Sequence, residues 1–113
     1  MNVDTLRQLI KNCRIKKERF LGFPRDWNPS RVRNPDATGD YFTESGAWEF
    51  IADKLEAGHI FEEISLDNPS GAPAIVMKIH LTMEDPLLYV KIQIGDRNKP
   101  IGRSFHYSHN EQN

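Results

Sequence analysis

Three stretches of the chain, residues 74–82, 87–94 and 101–107, alternate between apolar side chains and others, and this period of two restricts the fold most. Successive side chains of a β-strand point to opposite faces, so each stretch can bury one face and leave the other polar. Only short connections separate the three stretches. The pattern therefore predicts an antiparallel meander.

A further strand is predicted just before the meander. Residues 59–67 carry Ile60, Ile64 and Leu66 on one side, and the turn residues 68–71 follow them. This stretch brings the expected sheet to about four strands.

Two amphipathic helices are predicted ahead of the strands, at residues 3–13 and at about residues 46–57. Their apolar residues recur at helical spacing: Val3, Leu6, Ile10 and Cys13 in the first helix, and Trp48, Ile51, Ala52 and Leu55 in the second. Residues that favour helix ends stand where they are needed: Asn2 before the first helix, Thr43 or Ser45 before the second, and Gly58 after it. The carboxylates of the second helix are expected to face water.

Helices followed by strands predict the α+β class, with an antiparallel meander of about four strands and two helices packed on one face. We expect a single α+β domain over residues 1–113. Residues 14–42 are expected to be an irregular, basic and proline-rich segment, pinned to the core by its aromatic side chains, and residues 109–113 a frayed tail.

The net charge of −1 is a cancellation between blocks of opposite sign. Residues 1–35 carry nine lysines and arginines against three acids, residues 36–72 carry nine acids against Lys54, and residues 73–113 carry five bases against four acids. The basic block could bind RNA phosphates, the acidic block of the same chain, or an acidic partner. A near-neutral total thus does not exclude a nucleic-acid partner.

Membrane and metal sites are not expected. The longest apolar run, residues 72–77, is far shorter than a membrane span, and the first residues lack the apolar core of a signal peptide. The single Cys13 excludes an internal disulfide and a multi-cysteine zinc site. We expect no metal ion and no cofactor, since His80, His106 and His109 lack metal-ligand spacing. These features favour the cytoplasm.

The lengths of the connections predict how the strands pair. A connection at residues 83–87 pairs Leu81 with Leu88, and one at residues 95–100 pairs Ile94 with Ile101, which makes one face apolar except for Arg103. The opposite face then gathers a polar set: Lys78 beside Lys91, His80 beside Tyr89, and Tyr89 beside His106.

These residue types suit cleavage of a phosphodiester without a metal ion. Histidine acts as base or acid near neutral pH, tyrosine can donate a proton, and lysine stabilises negative charge on phosphate. The candidate catalytic residues are His80, Tyr89 and His106, and the candidate phosphate-binding residues are Lys78, Lys91 and, less directly, Arg103. A polar sheet face is also the ordinary composition of a solvated surface, so that interpretation stays open.

Residues 87–108, LLYVKIQIGDRNKPIGRSFHYS, resemble the C-terminal hairpin of MqsR-type toxins, which are bacterial mRNA interferases of RelE-like fold. The matching motifs are Tyr89-Val90-Lys91-Ile92 and Ser104-Phe105-His106. The resemblance implies that Tyr89 is a functional tyrosine and that His106 replaces a functional lysine. It also implies an antitoxin partner.

The leading hypothesis is a metal-independent endoribonuclease that acts on RNA, the toxin of a toxin–antitoxin pair. One alternative is a non-enzymatic binding or inhibitor protein, such as an immunity protein, an antitoxin or a phage-encoded inhibitor, that acts through the acidic residues 36–72. Another is an RNA-binding module without catalysis, whose affinity would depend on the N-terminal arginines.

Overall fold

The computed structural model describes residues 1–15, 25–36 and 39–108. Its main elements are α1 (Val3–Ile15), α2 (Glu44–Glu56), β1 (Glu62–Ser65), β2 (Pro73–Ile79), β3 (Leu88–Ile94) and β4 (Pro100–Tyr107). The four strands form one antiparallel sheet in the order β1-β2-β3-β4. The α+β class and the meander are thereby confirmed.

Both helices form close to their predicted positions and use the predicted caps. The side-chain oxygen of Asn2 accepts a hydrogen bond from the backbone N–H of Thr5 at 2.7 Å. Thr43, rather than Ser45, caps α2, because its hydroxyl oxygen accepts from the backbone N–H of Gly46 at 2.8 Å. Gly58 follows α2 with a φ of +84°, which is the left-handed conformation expected after a helix end.

The two helices pack on one face of the sheet. The buried core joins apolar residues of both helices to alternate residues of the strands: Leu9, Cys13, Trp48, Ile51 and Leu55 from the helices, and Ile75, Met77, Ile79, Leu88, Val90, Ile92 and Phe105 from the sheet. The side chains between these strand residues form the other face, which we call the polar face: Glu62, Lys78, Tyr89, Lys91, Gln93, Ser104 and His106 are its polar members. Ile60 lies before β1, and its side chain is exposed rather than in the core.

Trp27 ties the irregular segment to the core. The segment runs along β4, where Asn28 N–H donates to the carbonyl oxygen of Phe105 at 3.1 Å and Phe105 N–H donates to that of Asp26 at 2.8 Å. The indole of Trp27 lies 5.0 Å from that of Trp48 and 5.6 Å from the Phe105 ring, between centroids. The predicted role of the aromatic side chains therefore holds for Trp27. Residues 16–24, 37–38 and the predicted tail, residues 109–113, lie outside the described residues.

A single carboxylate holds two buried indoles. Trp27 Nε1 and Trp48 Nε1 each donate to the carboxylate of Glu44 at 3.0 Å. Glu44 is the first residue of α2, where the helix dipole favours a negative charge. The start of α2 is thereby fixed against the Trp27 segment.

Part of the basic block binds the acidic block of the same chain. Arg14 contacts Glu49 and Asp53 at 2.9 Å, and it also contacts Glu56, all on the outer side of α2. Hydrogen bonds that the guanidinium donates to Asp53, Glu56 and Glu49 raise the pKa of Arg14 above its usual range. The prediction that these carboxylates face water holds for Asp53 and Glu56, whose side chains are exposed, and Arg14 lies beside them because α1 extends to residue 15.

Asn12 holds the turn between β3 and β4 against α1. Its side-chain nitrogen donates to the carbonyl oxygens of Arg97 at 3.1 Å and of Asn98 at 3.0 Å. Both turn residues have left-handed backbone, with φ values of 58° and 61°. An amide 85 residues away in the chain therefore supports a strained turn.

The thiol of Cys13 is expected to make the protein less stable at alkaline pH. Cys13 is fully buried, and burial raises the pKa of the thiol from 9.0 to about 12. As pH rises, the unfolded chain therefore loses this proton before the folded protein does. The contribution of the buried thiol to the free energy of unfolding is intact below pH 9 and is lost as pH rises towards 12. The equilibrium constant for folding should fall by up to about tenfold for each pH unit in that window.

Urea unfolding of the wild type and of Cys13→Ala at several pH values between 8 and 11 measures this effect. The difference in unfolding free energy between the two proteins should shrink as pH rises. A difference that stays constant would contradict the prediction.

No helix within residues 1–15, 25–36 and 39–108 combines the length and the apolar composition that a membrane span requires.

Candidate functional site

The pairing of β2 with β3 differs from the prediction by two residues. Leu88 pairs with Ile79 and not with Leu81. A shift of two residues keeps every side chain on its face but gives it new neighbours. Lys78 therefore lies beside Tyr89 and not beside Lys91.

His80 does not lie beside Tyr89. β2 ends at Ile79, so His80 is already in the connection to β3, and its side chain is exposed. The prediction for His80 is wrong because this connection begins three residues earlier than residue 83, which takes His80 out of the strand. The candidate site therefore contains one histidine from the described strands rather than two.

The pairing of β3 with β4 begins as predicted. Tyr89 pairs with His106, and their rings are stacked, with centroids 5.5 Å apart and planes 24° apart. Lys78, Tyr89 and His106 thus form one line across β2, β3 and β4, which we call the central row.

A β-bulge interrupts the second half of the same pair of strands. The pairing passes from Lys91 with Ser104 to Ile92 with Gly102, so Arg103 is an extra residue without a partner in the ladder. A bulge re-aims the side chain of the extra residue.

Arg103 consequently reaches the polar face. Its guanidinium donates to the side-chain oxygen of Gln93 and to the carbonyl oxygen of Asn68, each at 2.9 Å. The prediction that Arg103 lies on the apolar side is wrong, because the bulge breaks the alternation on which it depended. Two of its donors are used inside the protein, so Arg103 also holds the connection between β1 and β2.

Lys91 lies one row along β3 from Tyr89. It pairs with Val76 on one side and with Ser104 on the other. Lys78 is its diagonal neighbour, at a spacing of about 7–8 Å for such positions. Both lysines therefore occupy positions next to Tyr89, and side chains of this length could reach one phosphate together.

The ring of His106 has a defined orientation. Its Nδ1 lies 2.8 Å from the carbonyl oxygen of Tyr107, which accepts a hydrogen bond and so makes Nδ1 the protonated nitrogen. In the neutral ring, Nε2 then carries the lone pair and can accept a proton.

The phenol of Tyr89 is held in its protonated form. Partial burial and, to a smaller extent, the negative charge of Glu62 raise the pKa of Tyr89. A phenol of this kind can donate a proton or a hydrogen bond at neutral pH but does not act as a base.

Glu62 lies on the polar face beside the central row, although the sequence pattern assigned it only to the acidic block. It pairs with Val76, next to Lys78 along β2. Alternation alone could not have identified Glu62, because it shares its side of the strand with the apolar residues Ile60 and Ile64.

The described residues contain no group of three histidine, cysteine, aspartate or glutamate side chains that could hold a metal ion. His109, a possible zinc ligand by residue type, is not among the described residues.

Comparisons of this chain with known protein families, with curated proteins and with solved structures found no match. The resemblance of residues 87–108 to the hairpin of MqsR-type toxins therefore stays a prediction from the sequence.

Proposed function

We propose that this protein is a metal-independent endoribonuclease whose catalytic residues are His106 and Tyr89. The central row carries this proposal, because it stacks a proton acceptor on a proton donor and places the cation of Lys78 beside them. Lys91 adds a second cation on the same face. Cleavage of a phosphodiester by its own 2′-hydroxyl needs these three functions together.

The proposed reaction uses the two nitrogen roles that His106 already has. Nε2 takes the proton of the 2′-hydroxyl, and the oxygen attacks the neighbouring phosphorus. The bond from phosphorus to the 5′-oxygen breaks, and the hydroxyl of Tyr89 gives its proton to that oxygen. Lys78 and Lys91 neutralise the charge that builds up on the phosphate oxygens. The products are a 2′,3′-cyclic phosphate and a 5′-hydroxyl, and solvent returns the proton from His106 to Tyr89.

The biological setting is a further part of the proposal. A toxin with an antitoxin partner, acting on mRNA in the cytoplasm, is supported by the resemblance of residues 87–108. The chemistry itself depends only on the residues of the polar face.

Single-stranded RNA incubated with the purified protein in EDTA tests the proposal. We expect fragments that end in cyclic phosphate, and about a tenfold slower reaction for Lys78→Ala and for Lys91→Ala, because each removes one charge from the phosphate. Lys54→Ala is the matched control, since Lys54 lies outside the basic block, on α2, on the other side of the sheet. Intact RNA, or equal loss of activity in the control, would overturn the proposal.

One observation favours a second function, that of a non-enzymatic binding protein. The helix α2 carries four acidic residues against one basic residue, Lys54, and the side chains of Asp53 and Glu56 are 65% and 66% exposed. Such a surface suits a basic protein partner. Under this alternative, His106→Ala would leave function unchanged, whereas a charge-reversed α2 would abolish it.

A further inference from the structure

A groove of about 420 Å³ lies beside the central row and shares Lys78 with it. The segment before β1 and the first residues of β1 form one wall, and β2 forms the other: the lining residues are His59, Ile60, Phe61, Glu62, Val76 and Lys78. A ligand in this groove would lie next to the place where the proposed reaction puts the phosphate.

The groove combines apolar walls with few charged groups, which is the usual composition of a small-ligand site. The side chain of Ile60 is 86% exposed, although it is large and apolar. Val76 and the half-buried Phe61 add further apolar surface. A flat, weakly polar ring seated here would cover surface that is otherwise left in water.

Glu62 supplies the polar recognition. An ionised carboxylate only accepts hydrogen bonds, and it has two oxygens side by side. Among the RNA bases, guanine alone presents two adjacent donors, N1–H and the 2-amino group, on its Watson–Crick edge. Adenine and cytosine place a ring acceptor beside their amino group, and uracil places its single N–H between two carbonyls, so each would set a lone pair against the carboxylate.

We propose that this groove is a guanine-binding subsite, in which the carboxylate of Glu62 accepts from N1–H and from the 2-amino group. The placement of the attached phosphate at Lys78 rests on the proposed function. Glu62 and Lys78 are diagonal neighbours on β1 and β2, and Tyr89 follows on β3. Adjacent strands lie about 4.8 Å apart, so consecutive strands can hold the base, the phosphate and the reacting groups of one nucleotide.

Titration calorimetry with the four nucleoside 3′-monophosphates tests the subsite on the folded 113-residue chain. We expect 3′-GMP to bind about tenfold tighter than 3′-AMP, 3′-CMP or 3′-UMP. A preference of this size is what one good bidentate contact to a base provides. Glu62→Gln should bring 3′-GMP to the level of the others, because one acceptor becomes a donor. Lys78→Ala should weaken all four alike.

Glu63→Gln is the matched control. Glu63 is the next residue of the same exposed strand, but it pairs with Ile75 of the core-facing set, and its carboxylate contacts the amino group of Met1. This variant should keep the preference for 3′-GMP. Equal binding of all four nucleotides by the wild type, or an unchanged preference in Glu62→Gln, would overturn the guanine subsite.

The two proposals fail in different ways. RNA cleavage that ignores guanine, with no preference for 3′-GMP, would remove the subsite and leave the endoribonuclease. Binding of 3′-GMP that depends on Glu62, without any RNA cleavage, would support the subsite and remove the proposed function.

Discussion

Replacing His106 by alanine is expected to slow RNA cleavage by about a hundredfold to ten-thousandfold, the usual contribution of a general base. The reason is that the hydrogen bond of Nδ1 to Tyr107 fixes the tautomer of this ring. In that tautomer Nε2 carries the lone pair that accepts the proton. Tyr89→Phe should also slow the reaction, although the stacked rings remain, because it removes only the hydroxyl that donates the proton. Rates of cleavage of a fluorescent RNA at neutral pH measure both effects.

His80→Ala is the control that the structure provides for this experiment. His80 is the same kind of residue, lies just beyond β2 and is exposed. We expect the RNA cleavage rate of this variant to remain within about twofold of the wild-type rate, since a surface substitution away from the site has little effect on the protein. The opposite result, with His80 essential and His106 dispensable, would contradict the central row as the catalytic centre.

The substitution Gly102→Ala is expected to destabilise the fold by about 1–3 kcal/mol, the usual cost of overpacking a core. A Cβ at this position would lie 2.8 Å from Cδ2, Cε3 and Cζ3 of the Trp27 indole. The indole cannot move away, because Trp48 packs against it and Glu44 accepts its N–H. In an ordinary strand the same change would be slightly stabilising, so the sign of the effect reports on this contact.

Urea unfolding of a double-mutant cycle measures the prediction. In a Trp27→Leu background, where the indole is gone, Gly102→Ala should cost little or become stabilising. If the penalty were the same in both backgrounds, the contact with Trp27 would not be its cause.

The elements of this fold could be predicted because each one has its own short-range pattern. The stripe of Trp48, Ile51 and Leu55 and the alternation along the strands are local, and burial in the structure follows them. The pairing of Tyr89 with His106 was predicted by placing Ile94 opposite Ile101. Ile94 instead pairs with Pro100, and the extra residue Arg103 restores the predicted register beyond the bulge.

The pairing of β2 with β3 could not be predicted from the same kind of pattern. Alternating apolar residues fill the core equally well when one strand slides by two, since Ile79 and Leu81 are interchangeable partners for Leu88. Connection length was the only other guide, and the connection is longer than the pattern indicated. This degeneracy is why His80 was expected in the site.

The sequence contains a signal for the bulge, an isolated glycine, at a position where the alternating pattern alone predicts a regular strand. An isolated glycine inside a strand marks a bulge or a close approach of another group, and Gly102 marks both. It precedes the extra residue Arg103 and lies against Trp27. The contact of Glu44 with Trp27 had no such signal, because the complete fold brings these two residues together. Trp48, in contrast, lies one helical turn from Glu44 and is its local neighbour.

The side-chain amide of Asn12 has a consequence for the order in which the molecule assembles. During synthesis, α1 leaves the ribosome long before the turn at Arg97 and Asn98, to which that amide is bonded, has been translated. The strands close only short loops and can pair as they emerge, whereas α1 must wait for the last hairpin. The hydrogen bonds that hold the turn between β3 and β4 against α1 therefore form only after the chain has been synthesised beyond Asn98.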